Sequence, residues 1–383
     1  MGFDPRRLDV VARQAGDRAV EIERLRRLPG DLVDELTRTG VFKLLVPTTY
    51  GGSQAHVADA VRAIESVAYH DGSTGWCVMI GITTGLCAGF MPPDHAAAVF
   101  GVPDAIAGGY GMPAGTGVAV AGGLRVSGRW SWGSGTDHCT AIGGGILVVG
   151  EDGRPASMED GTRAPFVFFD RGDVELLDTW HVIGLKGTAS TDYTVTKAFV
   201  PHGRWAEFLR PGGPMIDHPL YRFSFLGALG VGVAAVLLGL GRRAVDEIVE
   251  LGAKRPAGSS RSLSERSPVQ AEIARADAAV RSARTFLIDT VERCWESAER
   301  GDAMSDEHKR LLRLAATDAA SRSAEAVDRC YHAGGGTSIF ESSPLQRVFR
   351  DAHVATQHGM IAPRTYEVFG RMAFGLDTDT RQL

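Results

Sequence analysis

The sequence predicts a mainly helical α+β protein in three parts: a helical region over residues 1–104, a β domain over 105–213 and a helical bundle over 214–383. Three observations carry that prediction. Apolar residues recur at three- and four-residue spacing at both ends of the chain, as helices with one buried face require. The centre switches to glycine and β-branched residues with two-residue alternation. Two uncharged runs, Gly72 to Pro93 and Phe223 to Gly241, are apolar on every side and read as helices buried all round.

In chain order, Leu32-Val33-Asp34-Glu35-Leu36 opens a helix after Pro29-Gly30, and Val57 to Tyr69 repeats apolar positions at helical spacing. Pro47 and Gly51-Gly52 divide this region into short helices. Asp71-Gly72-Ser73 offers a capping carboxylate just before the apolar run that begins at Trp76. In the centre, Leu124, Val126 and Trp130 alternate with Arg125, Ser127 and Arg129, which puts the first set inward on a strand. Gly122-Gly123 supplies the turn before it, and Val195 to Pro201 reads as a closing strand. Helix then returns: Val245, Ile248 and Val249, followed by Val269, Ile273, Ala276 and Val280, mark amphipathic bundle helices. The polar run over 253–268 between them suits a helix-hairpin loop.

Composition narrows the function classes. A chain of 383 residues exceeds the ~250–300 at which single cores usually split, so two or three subdomains are expected. Hydrophobic content of 44% and charged content of 23% are those of a soluble globular protein, and a net charge of −5 gives no basic field for nucleic acid or anionic lipid. The N-terminal segment is charged throughout, without the apolar stretch of an export signal. The two apolar runs approach the ~20 residues that span a bilayer. Yet both are glycine-rich, the first ends in Met-Pro-Pro, and the second has arginine at both ends, Arg222 and then Arg242-Arg243. No charge asymmetry orients them in a membrane. The five cysteines lack CxxC spacing and read as buried free thiols of a reducing cytoplasm. HExxH, nucleophile-elbow, P-loop and Rossmann patterns are absent, so metal hydrolysis, acyl-serine chemistry, phosphoryl transfer and stable nicotinamide binding have no support, and no metal is expected.

Three segments concentrate chemistry. Trp130-Ser131-Trp132-Gly133-Ser134-Gly135-Thr136-Asp137-His138 places short hydroxyls, aromatic faces and an imidazole at the end of a strand. Gly184-Leu185-Lys186-Gly187-Thr188-Ala189-Ser190 adds two more hydroxyls. Tyr331 to Asp377 combines the turn Gly334-Gly335-Gly336, the run PLQRVFRDAH from Pro344 to His353, and Thr356-Gln357-His358-Gly359-Met360. Arginine's planar fork suits a pyrophosphate, and an imidazole can handle protons near neutral pH. His353, close to Arg350, reads as structural, and Glu367 as helical surface.

These segments, with Asp71-Gly72-Ser73 and Trp76, resemble the acyl-CoA dehydrogenase superfamily over almost the whole chain. Where the dehydrogenases carry a catalytic carboxylate followed by glycine, this chain has Gln357, His358 and Gly359. The branch that shares the W-S-x-x-S-G-x-D-H pattern is the oxygenase component of two-component (group D) flavin-dependent monooxygenases. The resemblance implies an N-terminal helical domain, a central β-barrel-like domain and a C-terminal four-helix bundle, assembled as a homotetramer, a dimer of dimers. It implies reduced flavin, FADH2 or FMNH2, delivered by a separate NAD(P)H:flavin reductase. It also implies O2 activated as the flavin C4a-hydroperoxide, and hydroxylation of a phenolic or other electron-rich aromatic substrate. An acyl-CoA dehydrogenase or oxidase with a relocated base, and an amine N-oxygenase, stay open as alternatives.

By the same resemblance His358, Ser134 and His138 are the catalytic candidates, Ser134 as the hydrogen-bond partner of flavin N5 with Ser131 second. Trp130, Ser131 and Ser134 would line the flavin ring, and Ser190 or Thr188 would contact the ring or its ribityl chain. Gly335, Gly336 and Arg350, beside Arg347, would carry its distal part, with Arg261 and Gln270 reaching in from a neighbouring subunit. The family's phenylalanine in that last loop is missing, since Ser259, Ser260 and Arg261 follow Gly258. A loosely held flavin is therefore expected. Trp76, Met79, Ile80, Thr83, Tyr221, Phe223 and Phe225 are the substrate-pocket candidates.

Overall fold

The structure, a computed structural model, describes residues 2–158, 160–208, 213–255, 260–302 and 304–380. Asp4 starts the first helix, its carboxylate accepting from the Arg6 and Arg7 N–H groups while Pro5 takes the first turn. Six helices follow in the N-terminal part: α1 (Pro5–Asp17), α2 (Ala19–Leu25), α3 (Gly30–Arg38), α4 (Val57–His70), α5 (Gly72–Thr84) and α6 (Pro93–Phe100). Asp71 caps α5 as its position suggested, accepting from the Thr74 N–H at 2.7 Å.

The centre is one seven-stranded sheet of β1 (Ala107–Val120), β2 (Gly123–Gly133), β3 (Ala141–Val149), β4 (Phe166–Phe169), β5 (Val174–Leu177), β6 (Thr191–Pro201) and β7 (Trp205–Ala206). Its order is β5-β6-β2-β1-β3-β4-β7. Of these strands only β1 and β3 pair in parallel; the hydrogen-bonded order ends at β5 and β7, and the sheet curls until β4 touches β6, as a barrel-like domain requires. Gly122, at φ +81°, makes the tight turn between β1 and β2 that an ordinary residue resists. Leu124, Val126 and Trp130 face the core as their alternation predicts. Trp130 is wholly enclosed, stacked on Tyr193 with ring centroids 5.3 Å apart, and its Nε1–H donates to the Gly145 carbonyl at 2.8 Å.

The C-terminal part contains α7 (Pro219–Arg222), α8 (Phe225–Glu250), α9 (Ser267–Glu299), α10 (Asp306–Gly334), α11 (Pro344–Ala355) and α12 (Arg364–Ala373). Helix α8 is the axis, packed by α10, α4, α11, α5 and α9. Its glycines permit this crowding: a Cβ on Gly239 would lie 2.5 Å from the Glu65 carbonyl oxygen of α4. The two apolar segments long enough to span a bilayer, Gly72–Phe90 and Phe225–Ala253, are 83% and 78% buried, so protein rather than solvent covers them. All five cysteines are buried and free.

Candidate active site

The segment Gly184 to Ser190 is held from several directions. The Leu185 N–H donates to Asp351 Oδ1 at 2.6 Å, and the Gly187 N–H donates to Ser73 Oγ at 3.1 Å. Both glycines are required by close approach: a Cβ on Gly184 would sit 2.3 Å from the Arg350 carbonyl oxygen, and one on Gly187 2.1 Å from Ile22 Cγ2. Lys186 and Arg350 share the Glu23 carboxylate, which fastens α2 to this segment and to α11. Leu185 and Ala189 adopt left-handed backbone, at φ +49° and +45°. Such conformations cost ~1–3 kcal/mol each and persist where neighbours overdetermine them.

This restraint brings hydroxyls from two distant segments together. Ser134 Oγ lies 2.6 Å from Ser190 Oγ, which lies 2.6 Å from Thr188 Oγ1, which donates to the Leu185 carbonyl at 2.8 Å. Trp76 Nε1–H donates to Ser134 Oγ at 3.0 Å. The Gly135 N–H donates to the Thr188 carbonyl at 2.9 Å, closing the contact between the two turns. Ser131 stands outside this chain, half-buried on β2. Ser134, Thr188 and Ser190 thus meet, and Trp76, nominated for a substrate pocket, joins them as a donor.

The indole of Trp76 also meets His358 edge to face, with ring centroids 5.6 Å apart. His358 lies just past a helix: α11 ends at Ala355, and His358 caps the single turn Gly359–Ile361. Its Nδ1 accepts from the Met360 N–H at 3.2 Å, which assigns the ring proton of the neutral form to Nε2. Burial and then the nearby Arg313 guanidinium push its pKa down to about 4. At neutral pH the ring is therefore an uncharged hydrogen-bond donor. His138 sits behind Gly135, where a Cβ would lie 3.1 Å from its Nε2, and burial lowers its pKa to about 4 as well. The imidazole of His138 backs the turn that carries Ser134.

Two nominated residues are placed differently. Trp130 is core, because strand alternation turns it inward; its neighbour Trp132 is 60% exposed at φ +58°, beside Tyr110. Arg350 is spent on Glu23, the Ile183 carbonyl and Gln346. Burial raises the pKa values of two enclosed carboxyls, Asp71 and Asp351, that of Asp351 to about 7; Arg347 opposes the rise at both, and Arg350 also at Asp351. Sequence reading missed this pair. Asp71 was read only as a cap, and nothing near either residue in sequence signals the other.

Gly335 and Gly336 line a separate groove of about 1050 Å³, together with Lys254, Arg266, Pro268 and His332. Gln270 is turned to the Ser264 carbonyl at 2.7 Å and does not line it, nor does Arg261. Gly258 and Ser259, which enter the argument about the missing phenylalanine, lie outside the described residues. Of the other pocket candidates, Ile80 approaches the start of β1 beside Ser134, while Met79 and Thr83 pack on Gly232 of α8. Tyr221 covers Gly89, and Phe225 stacks on Phe208, with Phe90 edge-on to both Tyr221 and Phe208. Phe223 is core. His353 pairs with Asp328 at 2.8 Å, and Glu367 is exposed on α12.

A flavin ring needs a flat wall and a polar partner at its N5 edge. The free face of Trp132 and the enclosed hydroxyl of Ser134, two residues apart, fit that need.

Comparison with known proteins agrees. The N-terminal and C-terminal domain models of acyl-CoA dehydrogenases match residues 8–92 and 231–363. An indole-3-acetate monooxygenase of Pseudomonas putida is 33% identical over 93% of this chain and 89% of its own. The oxygenase subunit HsaA, a flavin-dependent monooxygenase of Rhodococcus jostii, is 31% identical over 98% of this chain and 99% of its own. The structure of XiaF from Streptomyces in complex with FADH2 and glycerol superposes with a TM-score of 0.89 at 27% identity, covering 98% of this chain and 96% of that one. With the dehydrogenase domain models at both ends and monooxygenase relatives along its whole length, the chain belongs to the flavin-dependent monooxygenases of the acyl-CoA dehydrogenase superfamily.

Proposed function

We propose that the protein is the oxygenase component of a two-component system. It takes reduced flavin from a separate NAD(P)H:flavin reductase and places one atom of O2 on a small electron-rich aromatic compound such as a phenol. The observation that supports this reading is the contact of His358, a neutral imidazole in the segment that resembles the carboxylate-bearing one of the dehydrogenases, with Trp76, whose indole N–H donates to Ser134.

The bound flavin supplies the reactivity toward oxygen. Ser134, supported by Ser190 and Thr188, would hold its N5 edge, and Trp132 would cover its ring. The groove at Gly335-Gly336 would take its distal part. Trp76, Ile80 and the enclosed strand end exclude water from the reacting edge, which strengthens every hydrogen bond there. His358 offers its Nε2–H to the substrate oxygen or to the oxygen being transferred. A donor of that kind stabilises developing negative charge. The names of the relatives support both the reductase partner and the aromatic substrate: one is an oxygenase subunit, one oxidises indole-3-acetate.

Three further features belong to the same proposal. A homotetramer would let the loop holding Arg261 and Gln270 meet a neighbour's flavin. The reducing cytoplasm accords with five unpaired buried thiols. The acidic net charge accords with the absence of nucleic-acid or anionic-lipid partners.

The test mixes the protein with photoreduced FMN or FAD, O2 and a panel of phenols and indoles, and separately with oxidised flavin and acyl-CoA under anaerobic conditions. The expected outcome is an oxygenated product in the first arm and no bleaching of flavin in the second. Bleaching by acyl-CoA would return the protein to the dehydrogenases.

A further inference from the structure

We infer that the chain Ser134–Ser190–Thr188 selects the redox state of the flavin through the direction of its hydroxyl protons, and that the direction built into the fold favours reduced flavin. The inference rests on the reading that Ser134 faces flavin N5.

The direction is forced from one end. The Leu185 carbonyl can only accept, so Thr188 spends its single hydroxyl proton there at 2.8 Å. Ser190, 2.6 Å away, must then donate to Thr188, and Ser134, 2.6 Å further on, must donate to Ser190. Trp76 Nε1–H fills one lone pair of Ser134. The one capacity left on Ser134 is to accept.

Reduced flavin carries a proton on N5 and is a donor there, whereas oxidised flavin presents only a lone pair. The chain as built therefore matches the reduced form and sets oxygen lone pair against nitrogen lone pair in the oxidised one. Serving the oxidised form requires reversal, with Thr188 donating to Ser190 and Ser190 to Ser134. The Leu185 carbonyl would lose one partner on reversal and keep two, the Thr188 N–H at 3.2 Å and Trp180 Nε1–H at 3.1 Å. Reversal is thus accessible but costs one hydrogen bond, which corresponds to roughly tenfold in affinity. Such a bias suits a protein that receives flavin reduced and returns it oxidised.

The experiment compares dissociation constants for oxidised FMN or FAD and their reduced forms, by anaerobic titration, with the midpoint potential of the bound flavin. Thr188→Val removes the anchor and frees the Ser190 proton to turn toward Ser134. Ser190→Ala frees the Ser134 proton directly. Both variants are expected to reduce the preference for reduced flavin about tenfold, lowering the bound midpoint potential by about 30 mV. Thr188→Ser keeps the anchor and is expected to restore the wild-type ratio. Adding Thr188→Val to Ser134→Ala should change the ratio no further. Unchanged ratios in both Thr188→Val and Ser190→Ala, with Ser134→Ala altering affinity, would overturn the directional chain while leaving Ser134 at the flavin. Unchanged affinity for both redox forms in Ser134→Ala would instead overturn the placement of Ser134, and the inference with it.

Discussion

At the scale of the residue, His358 is proposed to act as a donor rather than a base. Its Nδ1 is occupied by the Met360 N–H and its pKa lies at about 4, so the proton it offers sits on Nε2 throughout the neutral range. His358→Ala is expected to lower product formation by about 10²–10⁴-fold while sparing flavin binding. His358→Gln, which keeps a donor, should recover part of that loss. Between pH 5.5 and 8 the wild-type rate profile should show no inflection that disappears in His358→Gln; a lost inflection in that window would show an imidazole that titrates during catalysis. The departure from the dehydrogenase pattern at His358 is a reading of the sequence alone. The protonation state of the ring is not legible there, because it depends on burial, to which Trp76 from α5 contributes, and then on Arg313 from α10. The two tryptophans of the β2 motif divide the same way. Alternation places Trp130 inward, but the left-handed backbone that turns Trp132 outward has no glycine to announce it.

At the scale of the element, the segment Gly184–Ser190 governs the site. Its motif was visible as two glycines among hydroxyls, but the sequence gives no sign of what crowds them: Ile22 of α2 and the backbone of α11. Gly184→Ala pushes a methyl into the Arg350 carbonyl, a backbone atom that cannot swing aside. A loss of about 3 kcal/mol in urea unfolding is expected, at the upper end for overpacking, with weakened flavin binding. Gly172→Ala, where a Cβ meets nothing within 4 Å, serves as the control and should stay within about 0.5 kcal/mol of wild type. Equal stability of the two variants would show that this segment yields more readily than its contacts imply. The helical ends and β centre were legible because periods of 3.6 and 2 are local properties. The pinning of one loop by four separate elements is not.

At the scale of the whole molecule, buried titratable groups make stability depend on pH in opposing senses. His138 and His358 have folded pKa values of about 4, below the ~6.5 of an unfolded histidine, so the unfolded chain binds more protons as pH falls from 6.5 to 4. Stability is therefore lost across that window. Asp351 works the other way. Its raised pKa lets the folded state take up a proton first, so its burial cost is greatest above pH 7 and is relieved on acidification. His358→Gln should flatten the fall between pH 6.5 and 4 by about 1.4 kcal/mol per pH unit, the worth of one proton. Asp351→Asn, which keeps an acceptor for Leu185, should raise stability at pH 8. A wild-type slope in His358→Gln, measured by urea unfolding across this range, would contradict the enclosed neutral imidazole.

All three scales converge on one claim, that this fold uses reduced flavin to transfer oxygen rather than oxidised flavin to abstract hydride. The direct measurement is a single turnover with chemically reduced flavin, ¹⁸O2 and an electron-rich aromatic substrate, with no reductase present, read by mass spectrometry. One ¹⁸O atom per product molecule is the predicted result. Product that carries oxygen from water, or oxygen consumption that ends wholly in hydrogen peroxide across a broad panel of phenols, indoles and amines, would contradict it.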